Sequence, residues 1–234
     1  MRTVRIGNLE IGKIPRVVAT LASLEAMKRF EALDTKPCDI AEVRLDLIGP
    51  DNDWLPAANN IQKAGTPIIL TLRAASEGGK WSGRETERLT ILKNAMPYVA
   101  AVDVELKSGL AQALTKKPGA DSRPVIVSFH DFGRTPPLQT LLTVTNEALK
   151  QGAIGKVSTM VTTDNELRTL QQLLANVWHA PLCVIGMGER AKQTRIDFPR
   201  RGSCLTYGYF ETPVAPGQLS AEELKKHMNN AAEL

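Results

Sequence analysis

The chain has 234 residues, 43% of them hydrophobic, and 29 Lys and Arg against 25 Asp and Glu give a net charge of +4. That length is within the range of an α/β barrel folding as one domain. The small basic excess is scattered, with only short pairs such as Lys28-Arg29, Arg200-Arg201 and Lys225-Lys226, which argues against a nucleic-acid partner. No apolar run is long enough to span a bilayer and the opening MRTVRIGNLEIG carries no long apolar stretch, so no membrane association is expected and a cytoplasmic location is the default. Cys38, Cys183 and Cys204 are odd in number and widely spaced, and read as small buried hydrophobes, not a disulfide framework or a zinc site.

Val4-Arg5-Ile6 and Leu9-Glu10-Ile11 alternate around Gly7-Asn8, a two-residue loop with hairpin chemistry, so a β-hairpin is expected over residues 1–13. Beyond Pro15 a unit repeats: an apolar β-rich run, a short loop, then a segment of helical spacing. The runs are 17–21, 39–47, 67–73, 101–106, 124–130, 154–160, 182–187 and 203–207. Between them, Leu138, Leu141, Leu142, Thr145, Ala148 and Leu149 share one helical face, as do Leu167, Leu170, Leu173, Leu174 and Val177. Capping boxes are expected at Ser82 to Glu85, Thr163 to Glu166 and Ser220 to Glu223, the last with Leu219 and Leu224 placed as a hydrophobic staple. Eight strands alternating with helices, with no linker or composition shift, predict a single (β/α)8 TIM barrel over 1–234, the hairpin closing its N-terminal mouth. A doubly wound open sheet is the competing arrangement.

Every second residue of a barrel strand points inward, and a sheet covered on both sides should read as continuous hydrophobic runs. Here one parity is polar on five successive strands: Glu42, Arg44 and Asp46; Thr71 and Arg73; Asp103 and Glu105; Ser128 and His130; Lys156 and Ser158. Converging charges of both signs point to a small polar ligand at the C-terminal mouth. Lys156 lies in the middle of the apolar GAIGKVSTMV. Taken alone it reads as a strand-edge lysine with its head in water; held inside and neutral, it is a nucleophile for carbonyl carbon. His130 has the same parity on the preceding strand, and adjacent strands lie roughly 5 Å apart. A nucleophilic amine beside an acid/base group is a Schiff-base site. Nearby arginines would bind a carboxylate and lower the pKa of the lysine. Each residue also has a structural reading: Arg44 with Asp46 as an ion pair, Asp103 and Glu105 as acceptors for backbone amides, His130 as a hydrogen-bonded strand end.

Glu77-Gly78-Gly79 has the composition of a flexible loop, and Gly186-Met187-Gly188 is a weak phosphate-loop candidate with no GxGxxG or Walker pattern around it. No His, Cys and carboxylate set has metal-ligand spacing and no serine elbow occurs, so neither a metal nor another cofactor is expected.

In order along the chain, AEVRLDL, ILTLRAASEGG, VDVELKS, VIVSFHDF, GAIGKVSTM, GMGERAKQTR and APGQLS resemble the type I 3-dehydroquinate dehydratases, from the Val17 strand to Leu224. These are Schiff-base (β/α)8 enzymes of the shikimate route toward chorismate and the aromatic amino acids. The resemblance implies syn elimination of water from 3-dehydroquinate, with Lys156 as the Schiff-base lysine, His130 as general acid/base and Glu77 orienting that histidine. It further implies substrate contacts from Thr20, Glu42, Arg44 and Arg73, a carboxylate held by Arg195, and Gln218 closing over the substrate from a lid loop, 209–219. A homodimer is implied as well. One departure stands out: where the family usually has serine, two residues before the lid proline, this chain has Val214. Two alternatives stay open. A class I aldolase-like barrel acting on a sugar phosphate would place a phosphate near Arg195 and Arg201, and a catalytically weakened ligand-binding barrel would follow from Val214.

Overall fold

The computed structural model describes residues 2–115 and 123–229. It opens with the hairpin, β1 (Val4–Ile6) and β2 (Leu9–Ile11), antiparallel with Val4 opposite Ile11 and Ile6 opposite Leu9. Gly7 takes a positive φ of 57° in the turn, and a Cβ there would press on Pro67 at 3.0 Å; this turn chemistry is why two residues suffice. Met1 of the expected 1–13 hairpin lies outside the described residues.

Eight parallel strands follow. They are β3 (Arg16–Leu21), β4 (Ile40–Arg44), β5 (Ile68–Thr71) and β6 (Ala101–Glu105), then β7 (Val125–Asp131), β8 (Ile154–Met160), β9 (Leu182–Met187) and β10 (Leu205–Tyr209). They lie in chain order, with β10 beside β3, which excludes the doubly wound alternative. The β9–β10 seam is closed by the Cys204 N–H donating to the Leu182 carbonyl at 2.9 Å and the Val184 N–H donating to Ser203 Oγ at 3.0 Å. Ser203 was expected inside the last strand; it precedes it and seals the barrel instead.

The outer layer contains α1 (Leu24–Glu31), α2 (Leu45–Ile48), α3 (Leu55–Lys63), α4 (Glu85–Ala95) and α5 (Ala111–Thr115). It continues with α6 (Leu138–Gln151), α7 (Asp164–Asn176), α8 (Thr194–Arg200) and α9 (Ala221–Asn229). The expected boxes at α7 and α9 form: Thr163 Oγ1 accepts the Glu166 N–H at 3.3 Å, and Ser220 Oγ accepts that of Glu223 at 3.2 Å. The box at Ser82 does not. Trp81 is tied back to the end of β5, its N–H donating to the Arg73 carbonyl at 3.0 Å and its carbonyl accepting from Ala75 at 2.8 Å, so α4 starts two residues later than expected, at Glu85 with Arg84 as its N-cap.

A second correction concerns residues 39–47. The strand ends at Arg44, whose φ and ψ of −85° and 82° turn the chain directly into α2. Asp46 therefore leaves the strand face; it accepts the Arg44 guanidinium at 2.8 and 2.9 Å and the N–H groups of Arg73 and Lys80 at 3.2 and 3.1 Å. The structural reading of that pair is the one realised.

One parity of the strands faces the helices (Val17, Ala41, Val43, Leu70, Val102, Val104, Val127). The other faces inward and changes character along the barrel axis. At the N-terminal end Val18, Ile40, Ile69, Ala101, Ile126, Ile154, Cys183 and Leu205 are packed by Ile6 and Ile11 of the hairpin, which plugs that mouth. Two residues further along the same strands, the inward positions are Thr20, Glu42, Thr71, Asp103, Ser128, Lys156 and Tyr207, with Ile185 the one aliphatic residue among the eight, all buried. All three cysteines are buried and free.

Candidate active site

The polar layers open into a pocket at the C-terminal mouth. Lys156 sits at an inward position in the middle of β8, 4% exposed. Its Nζ donates to Asp103 Oδ2 at 2.9 Å, lies 4.0 Å from Glu42 Oε1, and is 3.9 Å from the centroid of the Tyr207 ring. The register places Lys156 opposite Ser128 and His130 opposite Ser158, so His130 stands one inward position nearer the mouth.

Each carboxylate near the lysine is fixed by further partners. Glu42 accepts from Thr20 Oγ1 at 2.9 Å and Thr71 Oγ1 at 2.8 Å. Asp103 accepts from Arg73 Nη2 at 2.8 Å and Ser128 Oγ at 2.6 Å. Burial alone would raise the Asp103 carboxyl, but Arg73 and Lys156 beside it hold it far below the usual carboxylate range, so it stays ionised. Arg73 Nη1 reaches Glu105 Oε1 at 2.9 Å, and Glu105 is also bound by Arg88, a fully buried arginine that α4 sends in from outside the barrel. The sequence suggested arginines acting on the lysine; the nearest charges to Nζ are instead carboxylates, and Arg73 is engaged by one of the same pair. Lys156, Arg73 and Arg88 against Glu42, Asp103 and Glu105 make a neutral buried network, the condition under which such charges persist inside a barrel.

His130 closes one wall. Its Nδ1 is 3.0 Å from Glu77 Oε2, and the same oxygen accepts the His130 backbone N–H at 2.9 Å. Glu77 is brought there by a single 3-10 turn, Ala75–Glu77, which Gly78 ends at a positive φ of 80°. Burial, with Arg73 and Lys156 nearby, pushes His130 well below an ordinary imidazole, so the ring is neutral near pH 7. Burial, reinforced by the Glu105 charge, pushes the Glu77 carboxyl up to about 7. Once Glu77 is ionised it accepts the Nδ1 proton and leaves Nε2 free as a base; a protonated Glu77 donates to Nδ1 and gives the opposite tautomer.

Arg195, near the start of α8, is 3% exposed and donates only to backbone carbonyls, Gly217 at 3.0 Å and Tyr207 at 2.9 Å. Among the described residues no carboxylate pairs with it, and burial lowers it to about 10. A buried guanidinium without a counter-ion, facing the pocket, is an anion site. Arg201, by contrast, is exposed at the far end of α8 and does not line the pocket, so the two arginines do not form the phosphate site that the aldolase alternative required.

The loop after β10 covers the mouth. The Gly188 N–H donates to the Pro216 carbonyl at 3.2 Å, and Gln218 Oε1 accepts the Val214 N–H at 2.9 Å. Gly217, at φ 66°, lies so close that a Cβ would collide with the Gly188 carbonyl. Gly188 thus serves backbone packing of this loop, not a phosphate nest. The loop is held by backbone groups that Val214 supplies as well as a serine would.

All nine residues expected to form the site line this one pocket: Thr20, Glu42, Arg44, Arg73, Glu77, His130, Lys156, Arg195 and Gln218. Asp103 stands on the inward polar parity of VDVELKS, with a structural reading as a backbone-amide acceptor beside the functional one, but it is not among the expected site residues and has no expected role toward Lys156. Tyr207, at the end of an apolar run, and Arg88, on a helix, carry no signal in the sequence. Among the described residues no group of three or more His, Cys, Asp or Glu is placed to hold a metal ion.

Comparison with known proteins gives the family. The family described as type I 3-dehydroquinase matches residues 17–233. A 3-dehydroquinate dehydratase from Methanocella arvoryzae is 39% identical over 212 residues, covering 90% of this chain and 94% of that protein. One from Methanosarcina barkeri is 37% identical, covering 95% and 97%. The 3-dehydroquinate dehydratase structure from Geobacillus kaustophilus superposes with a TM-score of 0.87 at 24% identity over 99% of this chain and 97% of that one, an agreement of fold. The chain therefore belongs to the type I 3-dehydroquinase family.

Proposed function

We propose that this chain is a hydro-lyase that removes water from 3-dehydroquinate to give 3-dehydroshikimate through an imine on Lys156. The observation that carries this reading is a buried lysine and a neutral histidine on adjacent strands facing one pocket, which also holds an arginine without a counter-ion.

The chemistry explains the residues. The C2 proton of the substrate lies next to the C3 ketone and is too weakly acidic to leave quickly. Lys156 gives up a proton to His130 and attacks C3; His130 returns that proton to the carbinolamine hydroxyl, which leaves as water, and the iminium that remains is a stronger electron sink. Asp103 remains a carboxylate throughout, so neutral His130 is the group able to carry protons. His130 takes the C2 proton, the enamine expels the C1 hydroxyl, and His130 returns the proton to that departing oxygen. Water then hydrolyses the product imine, so one water is consumed for the one lost on condensation and the net change is loss of a single water. Ionised Glu77 keeps His130 in the tautomer that can act as base. Arg195 takes the substrate carboxylate, while Thr20, Glu42, Arg44, Arg73 and Gln218 surround its ring, with 209–219 acting as a lid.

The test is steady-state: purified protein given 3-dehydroquinate should generate the absorbance of a conjugated enone, and its absence would leave the weakened-barrel alternative in place. Family resemblance also supports residues 1–234 acting as one domain, a homodimer, which light scattering reads directly, and work in the cytoplasm. No helix of the described residues is long and apolar enough to cross a membrane.

A further inference from the structure

Lys156 Nζ has a neighbour that the scheme above does not use. Tyr207, at an inward position of β10, is 4% exposed, and the centroid of its ring is 3.9 Å from Nζ. Its hydroxyl is buried and meets no hydrogen-bond partner among the described residues. What it presents to the nitrogen is an aromatic face. We propose that Tyr207 is a further catalytic residue, its ring stabilising the positive charge on the Lys156 nitrogen as the iminium forms. The proposal rests on the reading of Lys156 as the imine-forming residue.

The argument follows the nitrogen along the reaction. It attacks as a neutral amine, becomes cationic in the iminium, neutral in the enamine and cationic again in the product iminium. Condensation also replaces three N–H donors of the ammonium by one. Asp103, at 2.9 Å, serves that one remaining donor. A second polar partner on the other side would then be left unpaired in a buried site. An aromatic face is attracted to charge, not to a particular N–H, so it requires no one donor on the planar iminium. It favours the iminium over the neutral carbinolamine from which it is made, so its removal slows carbinolamine dehydration, the step that the trapping rate reads. A desolvated cation over such a face is stabilised by on the order of tenfold to thirtyfold in an equilibrium constant.

The experiment uses full-length protein with 3-dehydroquinate, comparing wild type, Tyr207→Phe, Tyr207→Leu and Tyr207→Met. It measures kcat, KM and the rate at which borohydride-trapped adduct accumulates. Phe keeps the face and should retain at least a third of kcat. Leu and Met, which fill the space without a π system, should lose about tenfold to thirtyfold in kcat and in trapping rate with little change in KM. Two non-aromatic replacements keep the test available if one of them fails to fold. Wild-type kcat in a folded Leu or Met variant would overturn the proposal, as would an equal loss in Phe, which would assign the effect to the hydroxyl. Wild-type protein that neither turns over nor traps the substrate would overturn the parent reading instead.

Discussion

At the N-terminal end of the barrel the inward positions are Val18, Ile40, Ile69, Ile126, Ile154 and their apolar neighbours, roofed by Ile6 and Ile11; two residues further along the same strands they are Thr20, Glu42, Thr71, Ser128 and Lys156. Backbone, parity and covering helices are shared, so the difference is in side chains alone. The lower end gains free energy from burial. The upper end spends some of it, because the charges on its strands had to be taken out of water and paired. The two halves should therefore respond to substitution in opposite currencies: chemistry above, stability below.

His130→Ala should break the upper end most severely. We expect kcat to fall by about a hundredfold to ten-thousandfold, the usual worth of a general acid/base, while borohydride still traps an imine and the melting temperature stays within a few degrees. Ile11→Ala is the counterpart at the lower end. It should cost about 2–5 kcal/mol in denaturant titrations by leaving a cavity in the hairpin plug, with kcat per folded molecule unaltered. Equal loss of rate in both variants would dissolve the distinction between the two ends.

Glu77→Gln sharpens the comparison by pH. The Glu77 carboxyl is raised from 4.5 to about 7. Its contribution to folding is thus complete below about 4.5 and is lost as pH climbs through about 7. Activity runs the other way, since only ionised Glu77 holds His130 with Nε2 free. The wild-type kcat should rise with pH through about 7; in Glu77→Gln that limb should be flat, at a level lower by on the order of tenfold to a hundredfold. The smallest effect is expected from Val214→Ser. The backbone bonds that hold this loop are already made, so KM should fall by less than about threefold, as one added hydrogen bond would produce.

What could be read from the sequence divides along the same lines. Strand alternation, the Gly7-Asn8 turn, the inward polar parity of Glu42, Arg73, His130 and Lys156, and the caps at Thr163 and Ser220 are local patterns, and they fold as the patterns dictate. The exit from β4 at Arg44 is not local: it is set by Asp46 collecting N–H groups from Arg73 and Lys80, which lie far along the chain. The late start of α4 has the same origin in Trp81. Arg88 and Tyr207 meet the site only across the fold, through Glu105 and Lys156, so no spacing reveals them. The contact of Glu77 with His130 came from family resemblance, since Glu77-Gly78-Gly79 alone reads as a loop.

The central claim is that Lys156 forms the covalent bond to substrate. Reducing the protein with borohydride in the presence of 3-dehydroquinate, followed by peptide mass mapping, tests it directly. The account predicts a ligand-derived mass on the peptide containing Lys156 and none in Lys156→Ala, with turnover abolished in that variant. An unmodified Lys156 in protein that turns over the substrate, or an adduct on another lysine, would contradict it.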